Sequence, residues 1–198
     1  MRLKTSLKKR LVIEHALALY NLHGIEATTV EMVCDEAKIS VGSFYHHFGS
    51  KEGLALAVYT VGLKDFSLYL SEALQKCKTI HQVVTVIVNA NIDWIYQNRI
   101  WAKFIFEQRH ILTSSEQENS FQESVLGMQT HWKEFISALE GKEILLKYPP
   151  EFVISLLIGP VHEYARHWLN GRYRTDLISL KQYFCASAWA SINFEMEI

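Results

Sequence analysis

The residues best equipped for chemistry are Val41-Gly42-Ser43-Phe44-Tyr45-His46-His47-Phe48. This stretch offers a hydroxyl, a phenol and two imidazoles, and it holds no acid. That combination suits base edges and phosphate oxygens, which would repel a carboxylate. At about 100° per residue, Val41, Phe44 and Phe48 fall on one side of a helix. Gly42 and His46 fall on the other, flanked by Ser43 and Tyr45. The first set is expected to pack inward with Val33, Ala37 and Ile39, and the second to face outward. Gly42 lets a backbone come close to another surface. Thr28 and Thr29 open the preceding helix, whose N-terminus attracts anions. Five positive charges (Arg2, Lys4, Lys8, Lys9 and Arg10) precede the first acid, Glu14. Such an arm suits a phosphate backbone or a minor groove.

Positioning these residues requires helices, and helical spacing of apolar residues runs almost throughout, with no convincing period-2 stretch. A helix is expected from about Ser6 to His23, stopped by Gly24, with Ile13, Ala16, Leu17 and Tyr20 inward. Thr28 with Glu31 has capping-box spacing for a short helix ending near Ala37. Lys38-Ile39-Ser40 then forms a tight turn, and Ser40 caps Val41–Phe48. This is the pattern of a helix-turn-helix. Ser50 caps a long helix from Lys51 to about Cys77. Further helices are expected from Thr79 to about Tyr96, Ile100 to Leu112, Ser115 to about Leu139, Pro149-Pro150 to Asn170, and Thr175-Asp176 to about Glu195. Nine helices and no strand predict an all-α fold. Its domains would be residues 1–50, with the helix-turn-helix, and 51–198.

Composition narrows the function classes. A chain of 198 residues with 49% hydrophobic content can bury a sizeable core without disulfides or metal. Its formal charge of −1 rules out a uniformly basic nucleic-acid coat, though not a local basic patch. Cys34, Cys77 and Cys185 are odd in number and lack CxxC spacing, which fits buried thiols in a reducing compartment. The N-terminal apolar stretch is too short for a signal peptide, and no apolar run approaches the roughly 18 residues of a membrane span. The expectation is a cytoplasmic protein without a membrane partner. No Walker loop, GxSxG, HExxH or GxGxxG is present, so neither an enzyme, a cofactor nor a metal is expected.

Three separated pieces resemble the N-terminal signature of TetR-family transcriptional repressors. They are Gly24-Ile25-Glu26-Ala27-Thr28-Thr29-Val30, Ile39-Ser40-Val41-Gly42-Ser43-Phe44-Tyr45-His46-His47-Phe48 and Ser50-Lys51-Glu52-Gly53-Leu54. The similarity covers about residues 8–55. It implies that the third helix enters the major groove of an operator, with Gly42 and Ser43 at base edges. Thr29, Tyr45, His46 and Lys51 would then hold phosphates. Two departures stand out. Lys38 occupies a turn position usually held by Gly, where a left-handed backbone costs a side chain roughly 1 kcal/mol and where Lys would add a phosphate contact. Cys34 replaces a frequent Ala.

The resemblance also implies a C-terminal domain that binds a small-molecule effector and forms a homodimer. The segment from Trp94 to Leu112 is rich in aromatic residues, which line either plain core or an apolar chamber. Candidates for the chamber are Phe66, Trp101, Phe104, Glu107, His110 and Trp132. Candidates for the dimer interface are Leu157, Val161 and Trp168 with Tyr183 and Trp189, from two helices suited to a four-helix bundle. Pro160 should kink its helix or leave a carbonyl unpaired. The leading expectation is a ligand-responsive repressor. The alternatives are an activator or a ligand-independent regulator of the same kind and, more remotely, a helical enzyme.

Overall fold

The computed structural model describes residues 2–108 and 135–193, with side chains from residue 8 onward. Among the described residues every regular element is helical. In chain order they are α1 (Arg2–His23), α2 (Val30–Ala37), α3 (Val41–Phe48), α4 (Lys51–Leu74), α5 (Ile80–Gln97) and α6 (Arg99–Glu107). There follow α7 (Glu143–Leu146), α8 (Pro150–Leu169), a 3₁₀ turn (Leu177–Leu180) and α9 (Lys181–Ile192). Most of the helix expected over Ser115–Leu139 lies outside the described residues.

The caps explain where these helices begin. Thr29, not Thr28, is the N-cap of α2: its hydroxyl accepts from Met32 N–H at 3.2 Å. Thr28 is buried and instead donates to the Gly24 carbonyl at 2.7 Å, pinning the turn after α1. Ser40 accepts from Ser43 N–H, Ser50 from Gly53 N–H and Thr79 from Gln82 N–H. Each satisfies an amide that the first turn leaves free. Backbone and hydroxyl hydrogen bonds at the starts of α2 and α4 hold the Glu31 and Glu52 carboxyls below their ordinary value. Two starts differ from expectation. The basic arm is already helical from Arg2, and Asp176 caps the 3₁₀ turn, so α9 begins only at Lys181. Through Pro160, α8 stays one helix.

Packing divides the chain into two compact units, the first Met1–Lys64 with Ile100–Ser114, the second Asp65–Arg99 with Ser115–Ile198. The division differs from the point near residue 50 where short helices give way to long ones, because α6 packs with the first unit. There the Phe104 ring stacks on Tyr20 at 5.6 Å, and the Arg10 guanidinium lies 5.9 Å from the Trp101 ring. Gly62 of α4 lets the Trp101 ring lie against it: a Cβ there would stand 2.6 Å from a ring carbon. Val12, Ile13, Ala16, Leu17 and Tyr20 of α1 are buried with Val33, Phe44, Phe48, Leu54 and Val58. The Tyr20 hydroxyl is buried without a partner among the described residues, and burial, with Glu52 adding to it, pushes the phenol well above its ordinary value.

In the second unit α5 is central and packs against α8 and α9. Its residues Ile80, Val83, Val84, Ile87, Val88, Ile92 and Ile95 are buried. Asn91 is buried too, but its amide donates to the Ile87 carbonyl and its Oδ1 meets His162 Nε2 at 3.0 Å. Lys181 bridges both Asp93 oxygens at 2.7 Å, fastening α9 to α5. Leu157 and Val161, expected at a dimer interface, are 1% and 0% exposed within this unit. Both are therefore buried within the chain itself, in a helix that packs against α5 and α9.

Candidate nucleic-acid interface

Helix α3 has one buried edge. Phe44 is 0% exposed and Phe48 8%, their rings 5.5 Å apart, while Tyr45 stands 51% exposed. Its phenol ring meets Phe44 edge-on at 5.3 Å, which props it outward. Gly42 and His46 are exposed, Ser43 is half-buried, and the space that a Cβ at Gly42 would enter is open. The wheel placed Val41 with the phenylalanines, yet it is 44% exposed. It is the first residue of the helix and is exposed with Gly42. The sequence signal for this was its place directly after the cap.

Around this face the expected phosphate ligands take distinct places. Thr29 is exposed at the start of α2. Lys38 caps the end of α2 at φ 53°, ψ 47°, and is the only non-glycine residue with positive φ among the described residues. Its left-handed backbone is the one the turn demands, so Lys carries the steric cost that a Gly would avoid. Lys51 is half-buried, and its ammonium donates to the Glu26 carbonyl at 2.9 Å, tying the start of α4 to the turn before α2. Two of its three N–H groups remain beyond that bond. His47 is half-buried, with its ring 5.2 Å from His46.

The basic arm is a helical edge. Lys9 lies over the Phe48 ring at 5.4 Å, and Arg10 pairs with Glu14 at 2.8 Å. No group of three or more His, Cys, Asp or Glu side chains able to hold a metal occurs among the described residues. No described helix is long and apolar enough to cross a membrane.

The expected effector pocket fares differently. Phe104 is buried against Tyr20, and Trp101 is taken up by Gly62 and Arg10, so both serve the packing of the first unit. Glu107 is exposed, and Phe66 rests on Trp94 at 5.5 Å in the second unit. His110 and Trp132 lie outside the described residues. Of the dimer candidates, Tyr183 is 66% exposed and Trp168 and Trp189 are half-buried. Trp168 stacks on Tyr96, and Trp189 meets His81 at 4.6 Å.

Comparison with known proteins agrees with this geometry. Residues 12–58 match the family described as bacterial regulatory proteins, tetR family. An uncharacterized HTH-type transcriptional regulator, YhgD of Bacillus subtilis, is 27% identical over 111 residues, or 56% of this chain. The match spans 58% of that relative's length. The fold is that of FadR from Bacillus subtilis, solved with stearoyl-CoA (TM-score 0.71, 13% identity, 90% of this chain and 96% of that one). It is also that of AibR, solved with isovaleryl coenzyme A and operator DNA (TM-score 0.70, 16% identity, 90% and 96%). Residues 12–58 thus match the helix-turn-helix part of the tetR family, in a chain whose regular elements are all helical among the described residues.

Proposed function

We propose that the chain is a homodimeric repressor that reads a near-palindromic operator with α3 and answers to a small-molecule effector in its C-terminal half. The observation that carries the DNA reading is the two-sided character of α3: phenylalanines buried, and Val41, Gly42, Tyr45 and His46 outward with no acid. In a major groove Gly42 and Ser43 would approach base edges, with Val41 toward a thymine methyl. Thr29, Lys38, Tyr45, His46 and Lys51 would hold phosphates and fix the register. Two copies on one face of duplex would set their recognition helices about 34–36 Å apart, or a multiple of that. The face for pairing is drawn from the outward residues Tyr183, Ala186 and Ala190 of α9, with Trp168 and Trp189 at its margin.

An operator-bound dimer represses by occupying the duplex. The effector shifts operator affinity only by its differential affinity for the two states, typically about 1–3 kcal/mol. The acyl-CoA complexes of FadR and AibR support a small organic ligand and make acyl-CoA thioesters the first compounds to try. The test is a gel shift with the protein's own upstream DNA against scrambled duplex, beside sedimentation for the protomer number. Sequence-preferring binding by a dimer, weakened by salt, is expected. Equal binding to both duplexes would overturn the reading.

A further inference from the structure

We propose that the loop after α8 is a nucleotide site, in which a base lies on Tyr173 and the phosphates on Arg172 and Arg174. The proposal does not depend on the reading of α3.

The loop Gly171-Arg172-Tyr173-Arg174 is exposed, yet its backbone is tied down. The Arg172 and Tyr173 amides donate to the His167 carbonyl at 2.9 and 3.4 Å, and the Tyr164 hydroxyl donates to the Thr175 carbonyl at 3.0 Å. The His167 and Tyr164 rings lean on Tyr173 at 4.8 and 5.0 Å. With both contacts made, Tyr173 is still 43% exposed. A tyrosine held in place and open to solvent is a stacking surface that costs little further ordering.

The charge beside it is uncompensated. The acids of the loop and of the last two turns of α8 and α5 are already engaged. Glu163 pairs with Arg166 at 2.9 Å and His167 at 3.0 Å, Asp93 pairs with Lys181 at 2.7 Å, and Asp176 accepts from the Ile178 amide at 3.0 Å. Neither Arg172 nor Arg174 is in an ion pair among the described residues. Their side chains do not cap α8 either. Its last carbonyls take the Asn170 side-chain amide, on Arg166, and the Gly171 and Arg172 backbone amides, on Trp168 and His167. Arg99 adds a third positive group at this end, its guanidinium 4.4 Å from the Trp168 ring. A guanidinium fork meets a phosphate with two parallel hydrogen bonds. Phosphate joined to an aromatic base is the chemistry of a nucleotide. Inorganic phosphates would use the arginines alone and leave Tyr173 without a role.

The experiment is isothermal titration calorimetry of the full chain with ATP, adenosine and tripolyphosphate, without divalent metal and at about 0.15 M salt. ATP should bind at least about tenfold tighter than either of the others, because it alone uses both the ring and the forks. Tyr173→Leu should weaken ATP about tenfold and leave tripolyphosphate unchanged, while Tyr173→Phe, which keeps the ring, should bind ATP as the parent does. Arg172→Gln with Arg174→Gln should remove the binding of both phosphate compounds. Thermal denaturation of each variant verifies folding, and the comparison of the three compounds on the parent chain needs no variant. Absence of ATP binding up to about 1 mM, tripolyphosphate as tight as ATP, or a folded Tyr173→Leu that binds ATP like the parent would each overturn the site.

Discussion

Lys38 sets local strain against a charge. Its left-handed backbone costs a side chain roughly 1–2 kcal/mol, while replacing it with glycine costs about 0.5–1 kcal/mol in chain entropy. Lys38→Gly should therefore stabilise the protein by up to about 1 kcal/mol in urea denaturation. If Lys38 meets a phosphate, the same variant should lower the slope of log affinity against log salt by about 0.9 per protomer. A gain in stability with an unchanged slope would remove Lys38 from the interface. Single residues were legible in sequence wherever a motif or a helical wheel constrained them, as at Phe44, Tyr45 and Ser40. Val41 was not, because a wheel has no ends and cannot show where a neighbouring helix stops. Lys51 was only half legible: its charge suggested phosphate, but its bond to Glu26, 25 residues away, depends on the folded turn.

At the scale of elements, capping chemistry located most helix starts to within a residue, since Ser40, Ser50 and Thr79 each satisfy a local amide. Thr28 and Thr29 were interchangeable by type; only the burial of Thr28 separates them. Packing was less legible. Aromatic spacing in α6 marked a hydrophobic face without saying which unit would bury it. Gly53 is a further case, because a Cβ there would land on the Phe48 carbonyl oxygen. The glycine lets the first turn of α4 press against the end of α3. Gly53→Ala gains roughly 1 kcal/mol of helix propensity, but overpacking against backbone costs about 1–3 kcal/mol or more. A net loss of up to about 2 kcal/mol is expected in thermal denaturation, with weaker operator binding as Lys51 shifts. Unchanged stability would mean that α4 can start elsewhere.

For the whole molecule, the helix-turn-helix was readable because a short motif at fixed spacing does one job. The second unit was readable only as helices, since its long-range packing is encoded by no local pattern. What decides the function is whether the outer face of α3 lies in a groove. The most direct measurement is competition anisotropy of Ser43→Ala and Lys51→Ala against duplexes with each operator base changed in turn. Ser43→Ala should alter preference at one base position per half-site. Lys51→Ala should weaken every duplex alike and flatten the salt slope. Equal, sequence-blind losses for both variants, or no loss for either, would contradict the placement of α3 in the major groove.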